Sequence, residues 1–96
     1  MSNTFSQLPK AQMEILSAWE WYEDKQPGLG NRFKDEVARK IKTVAQNPFH
    51  YPLKGKYREA QVDVFPFLIV FKFDKKAGII FIVSVFHMSR HPKKKW

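Results

Sequence analysis

The sequence predicts an α+β fold: an N-terminal helix hairpin packed on a three- or four-stranded antiparallel sheet, formed by one domain over residues 1–96. Three observations predict it. Apolar residues recur at steps of three and four through the first half of the chain and at steps of two from residue 57 onward. A Pro-Gly break divides the helical half in two, and the gaps between the later apolar runs are too short to hold a crossover helix.

The first helix is expected between Leu8 and Lys25, where Leu8, Ala11, Ile15, Trp19 and Tyr22 fall on one face and Met13 and Leu16 widen it. Ser6 is placed to cap it and Pro9 suits its first turn. Trp21 lies off the stripe and is expected to be partly exposed or a flank of the core rather than a binding residue. Gln26-Pro27-Gly28 ends this helix, and Gly30-Asn31 opens a second whose apolar residues Phe33, Val37, Ile41 and Val44 step by four, four and three. Asn47-Pro48 closes it. So short a link makes the two helices antiparallel neighbours.

After a basic loop, "HYPLKGK", the period changes to two. In "YREAQVDV" the residues Ala60, Val62 and Val64 face one way and Glu59, Gln61 and Asp63 the other, as in a half-buried strand. Arg58 is in phase with the apolar set, and a charge on that face needs a partner or an opening. "FLIVFKF" and "IIFIVSVF" read as central strands joined by the Asp74 to Gly78 hairpin loop. A short strand near Asn3 to Phe5 would extend this antiparallel meander.

Hydrophobic residues at 44% and nine phenylalanines supply a core and argue against disorder. The absence of cysteine excludes disulfides and thiolate metal sites. No basic-then-apolar leader opens the chain, and no apolar run approaches the roughly 20 residues of a membrane span. A cytoplasmic protein without membrane contact is expected. The net charge of +8 is unevenly spread: residues 1–50 hold seven Lys/Arg against six Asp/Glu, and residues 51–96 hold ten against three. The second half should therefore attract phosphates or an acidic polypeptide.

Motifs of known chemistry are nearly absent. There is no phosphate loop, nucleophile elbow or HExxH, and His50, His87 and His91 lack carboxylates at metal-ligand spacing, so no metal and no cofactor is expected. What remains is a basic and imidazole set. Arg58, His87 and Arg90 are the candidate catalytic residues, with Lys54, Lys56, His91, Lys93 and Lys94 as candidates for binding a nucleic acid or another target. In a meander the Arg58 strand and the end of the last strand can lie close, where arginines would hold a phosphate and histidine would move protons. Plainer roles compete: His87 as the end of a strand, Arg58 as the partner of Glu59 or a helix acid, the lysines as a solvated tail.

The stretch "YREAQVDVFPFLIVFKFD", followed by "IIFIVSVFHMSRHP", resembles the RelE/ParE superfamily of toxins from type II toxin-antitoxin systems, nearest its ParE-like plasmid stabilisation proteins. Arg58-Glu59, Phe65-Pro66-Phe67 and the trio His87, Arg90 and Pro92 carry the resemblance. It implies a growth-inhibiting toxin neutralised by a cognate antitoxin. ParE-like members inhibit DNA gyrase, a protein target; RelE-like members cleave mRNA on the ribosome, often with a C-terminal tyrosine or histidine. No tyrosine follows Tyr57 here. Metal-independent endoribonuclease activity therefore stands as the alternative to a gyrase-directed binder, and a non-toxic RNA-binding accessory protein as a third.

Overall fold

The structure is a computed structural model that describes residues 3–89. Arg90, His91, Pro92, Lys93, Lys94 and Trp96 lie outside that range. The described elements are β1 (Thr4–Gln7), α1 (Pro9–Lys25), α2 (Leu29–Gln46), β2 (Leu53–Lys54), β3 (Tyr57–Gln61), β4 (Phe67–Asp74) and β5 (Ile79–His87), with a 3-10 turn over Pro48–His50. The helix hairpin lies against a sheet ordered β1-β5-β4-β3-β2.

The sheet thus has five strands, where three or four antiparallel ones were expected. The additional strand is β2, two residues inside the basic loop, turned onto β3 through Gly55, whose positive φ of 68° suits a tight hairpin. The N-terminal strand forms one residue later than expected at its start and two later at its end. It also runs parallel to β5. No hairpin joins these two strands, so nothing imposes the antiparallel sense that β2 to β5 share. Ser6 belongs to β1; the residue at the start of α1 is Leu8, without a side-chain cap, and Pro9 provides the preset first turn.

On α1 the small residues Ala11 and Ala18 join Ile15 against the sheet, while Met13 is 64% exposed and Leu16 half-exposed, outside the core face expected of them. On α2 the expected stripe of Phe33, Val37, Ile41 and Val44 is buried in full. β3 stops at Gln61. Val62 remains buried, but Val64 adopts a φ of 74° and is 69% exposed, so the alternation predicted through residue 64 ends in a turn. Left-handed backbone is costly for a β-branched residue. The turn is held by Val62 N–H donating to the Phe67 carbonyl and Phe67 N–H donating to that of Phe65.

β4 and β5 form the centre. Val70 pairs with Ser84 but Phe71 with Ile82, which leaves Val83 as the extra residue of a β-bulge. The bulge resets the alternation of β5, so that Ile80, Ile82 and Val85 all enter the core. Phe33 links the layers: its ring lies 5.4 Å from Tyr22 on α1, 5.4 Å from Phe65 and 4.8 Å from Phe67 on β4. Phe33→Ala should cost about 3–5 kcal/mol, read from urea unfolding.

A carboxylate fixes the helix hairpin. Glu23, near the end of α1, accepts the backbone N–H groups of Gly28, Gly30 and Asn31 at 2.8 to 3.2 Å, serving as the N-terminal cap that Gly28 cannot provide itself. Trp19 Nε1–H donates to Asn31 Oδ1 beside it. Gly30 is needed because a Cβ there would stand 2.5 Å from both Glu23 Cγ and the Trp19 carbonyl oxygen. Gly30→Ala should therefore cost about 1–3 kcal/mol through overpacking. The backbone donors, Gly28 first, hold the Glu23 carboxyl below its usual 4.5. A carboxyl lowered in the folded state stabilises the fold fully above its unfolded value, and that contribution is lost as pH falls through the folded value. The stability gap between wild type and Glu23→Gln, followed by urea unfolding across pH, should accordingly be widest above 4.5 and close in acid.

Candidate functional site

The basic candidates gather at one end of the sheet. β3 carries Arg58 on the same side as the buried Ala60, opposite Phe71 of β4. Its guanidinium donates through Nη1 to the Tyr51 carbonyl and lies 5.2 Å from the centre of the Phe49 ring, which rests edge-on against Phe73. A carbonyl and an aromatic face therefore satisfy the charge, rather than Glu59 or a helix acid. Glu59 instead faces Lys54 Nζ at 3.3 Å, with its own side chain only 6% exposed. Lys56 is exposed in the turn between β2 and β3. Phe49 and Leu53, both exposed, stand beside these charges and were not singled out by sequence. Their signal was an apolar side chain, one aromatic and one aliphatic, in a loop that also carries Lys54 and Lys56.

His87 lies elsewhere. It ends β5 opposite Phe67, with the two rings edge-on at 5.2 Å. Ser89 N–H donates to its Nδ1 at 3.2 Å, and Ser89 Oγ is 2.9 Å from the same atom. Accepting a backbone N–H leaves the proton of the neutral ring on Nε2. Arg58 and His87 pair with β4 residues four positions apart and occupy strands on either side of it. Their backbones are consequently about 16 Å apart, given strand rise and spacing. The described structure therefore does not bring Arg58 and His87 together. Arg90, His91, Lys93 and Lys94 lie outside the described residues.

Beside His87 a shallow groove of about 190 Å³ is lined by Met13, Glu14, Ser17, Phe67 and Val85. Glu14 does structural work in it. Its Oε1 accepts the Ser84 hydroxyl at 2.8 Å and the Val85 N–H at 3.0 Å. β1 pairs with β5 only as far as Ile82, so this carboxylate takes over the strand edge where β1 ends. The role was readable in principle, because Ser84 interrupts an apolar strand and a buried hydroxyl requires a partner. Among the described residues no group of three or more His, Asp or Glu side chains could hold a metal ion. No described helix is long and apolar enough to cross a membrane.

The helix hairpin on a mixed five-stranded sheet is a fold this chain shares with solved chains of toxin-antitoxin systems. The chain belongs to the family described as ParE toxin of type II toxin-antitoxin system, parDE, which matches residues 6–92. Solved structures agree on the fold. A chain of the chromosomal ParDE system of P. aeruginosa superposes with a TM-score of 0.76 at 14% identity, covering 90% of this chain and 96% of that one. A chain of the RelBE2 toxin-antitoxin complex of Mycobacterium tuberculosis gives a TM-score of 0.64 at 14% identity, with 91% and 99% covered. A chain of the intact E. coli RelBE toxin-antitoxin complex gives 0.64 at 16% identity, with 90% and 96% covered. No curated protein matches the sequence.

If Glu14 carries the β5 edge, Glu14→Ala should destabilise the fold by about 1–3 kcal/mol, because it strands a hydroxyl and an amide. A double-mutant cycle with Ser84→Ala, measured by chemical unfolding, should return a coupling of about 0.5–3 kcal/mol.

Proposed function

We propose that this toxin arrests bacterial growth from the cytoplasm by binding a protein target, DNA gyrase being the candidate, and that a cognate antitoxin neutralises it. Support for a binder comes from one observation above all: His87 pairs with Phe67 at the start of β4 and Arg58 with Phe71 four residues on, on strands either side of it, and Arg58 is already engaged by Tyr51 and Phe49. General acid-base chemistry on a phosphate needs its cation and its proton carrier within hydrogen-bond reach of one substrate. A surface for docking has no such requirement. Lys54, Lys56 and Arg58, beside exposed Phe49 and Leu53, offer the mixture of charge and apolar area that protein interfaces use.

The alternative, cleavage of mRNA on the ribosome, draws on the same loop. Lys56 and Arg58 next to an exposed phenylalanine could engage a phosphate and a base. In that case Arg58, His87 and Arg90 would be the catalytic set, with Lys54, Lys56, His91, Lys93 and Lys94 gripping the strand.

Induced expression of the chain alone should stop growth, and co-expression of its antitoxin should restore it. Continued growth with soluble toxin present would contradict the toxin reading for this chain. Loss of plasmid supercoiling with intact mRNA supports the gyrase target; codon-phased mRNA cuts with unchanged supercoiling support the ribonuclease. Arg58→Ala should weaken toxicity by about tenfold or more in the dose needed for arrest, as for removal of one charged interface contact.

A further inference from the structure

Glu14 is fixed by half of its carboxylate. Oε1 accepts the Ser84 hydroxyl and the Val85 N–H, while no described group donates to Oε2, and Glu14 makes no ion pair among the described residues. Other acids of the fold are committed differently: Glu36, Glu59 and Asp63 each hold an arginine or lysine at 3.3 to 3.5 Å, and both oxygens of Glu23 take backbone N–H groups. In Glu14 one oxygen anchors the group and the other is held in place with its acceptor capacity unused.

This carboxylate lines the groove of about 190 Å³ beside His87, together with the Ser17 hydroxyl and the apolar walls of Met13, Ala18 and Phe67. The volume is below the roughly 300–1,000 Å³ of small-molecule and cofactor sites, and it suits a single inserted side chain. Val85 adds a backbone acceptor. Its N–H leaves the ladder for Glu14, so the carbonyl of the same residue also turns away from β4, and β1 has already ended at this level. No lysine or arginine is among the described residues that line the groove, and Glu14 is its one carboxylate. Met13, exposed where a helical count put it in the core, supplies a flexible wall that can close on what enters.

Resting on the protein-target reading above, we propose that this groove receives an arginine side chain of the target. The guanidinium is a planar fork of donors, which can serve Glu14 Oε2 and the Val85 carbonyl together. Its methylene stem would lie along Met13 and Ala18. Charge selects the occupant: an acidic residue or a phosphate would meet the carboxylate, whereas a cation is drawn to it although the chain as a whole carries +8. The toxin would thus grip its target by two opposite chemistries, an acceptor groove here and the basic loop around Arg58.

Amide chemical shifts of the full chain, followed by NMR as N-acetyl-arginine amide is added, test the groove, with the citrulline analogue as a probe of the same shape without charge. The Ser17 and Val85 amides should move saturably with the arginine probe and stay in place with the other. Ser17→Arg supplies a guanidinium from the chain itself, three residues along α1 from Glu14, and leaves both Oε1 bonds intact. Ser17→Glu is also bulky but opposite in charge. The arginine variant should abolish the response and the glutamate variant strengthen it. Ser17→Arg should also raise the expression dose needed for growth arrest by about tenfold, with its circular dichroism unchanged. An equal response to both probes, no response to either, or its loss in both variants alike would overturn the proposal, as would arrest by Ser17→Arg at the wild-type dose. Loss of antitoxin pairing by Ser17→Arg with toxicity intact would give the groove to the antitoxin and overturn it too. A wild-type chain that arrests nothing would overturn the toxin reading instead, while the probe titration still decides whether the groove selects a cation.

Discussion

Phe33 is the point on which the fold turns. One ring on α2 contacts a ring of α1, a ring of the turn after β3 and a ring of β4, so the spacing between helix layer and sheet is set where those four side chains meet. Aromatic clusters combine a large buried area with preferred edge and tilt angles, so they fix orientation as well as distance. In a chain of 96 residues, where a core is thin, such a constraint has to serve several elements at once. The Glu23 cap and the bare backbone of Gly30 complement it by holding the hairpin closed at the far end of α1.

Much of this was legible in the sequence, for identifiable reasons. α2 could be read nearly residue by residue, because its apolar stripe is narrow and its opposite face is charged. The central strands were evident as apolar runs broken by a single charge, Lys72. What escaped were features decided by contacts distant in sequence. Met13 and Leu16 sit where a helical count puts the core, but the sheet is approached by Ala11 and Ala18, whose small side chains permit the closer packing. Val64 continues a perfect alternation on paper; the turn needed by Phe65, Pro66 and Phe67 breaks it. β1 and β2 were hard to see because two to four residues carry little periodic signal.

The candidate site was legible as a list of residue types and not as a place. Sequence put Arg58 in phase with a buried face and demanded a partner for it, which the structure supplies as a carbonyl and a phenyl ring. Its neighbourhood with His87 depended on where along β4 each strand pairs, and register is not written in apolar runs that could slide by two residues without penalty. The result is a molecule with two separate surfaces. A basic loop lies on the β2–β3 side of β4, and on its β5 side, at the start of β4, a histidine stands beside a groove with a carboxylate already committed to β5.

The parallel pairing of β1 with β5 has a consequence for how the chain reaches this state. These are the first and last described strands, so the seat between β1 and β4 is filled only by the last strand to be made. Contacts of such long sequence separation form late and slow folding. Until β5 arrives, the apolar run "FLIVFKF" of β4 lacks its neighbour on one side, and an apolar strand with an open edge is prone to pair with another chain. The hazard in the nascent chain therefore falls on β4, already made, and the entry of β5 both joins the two ends of the described chain and removes that hazard.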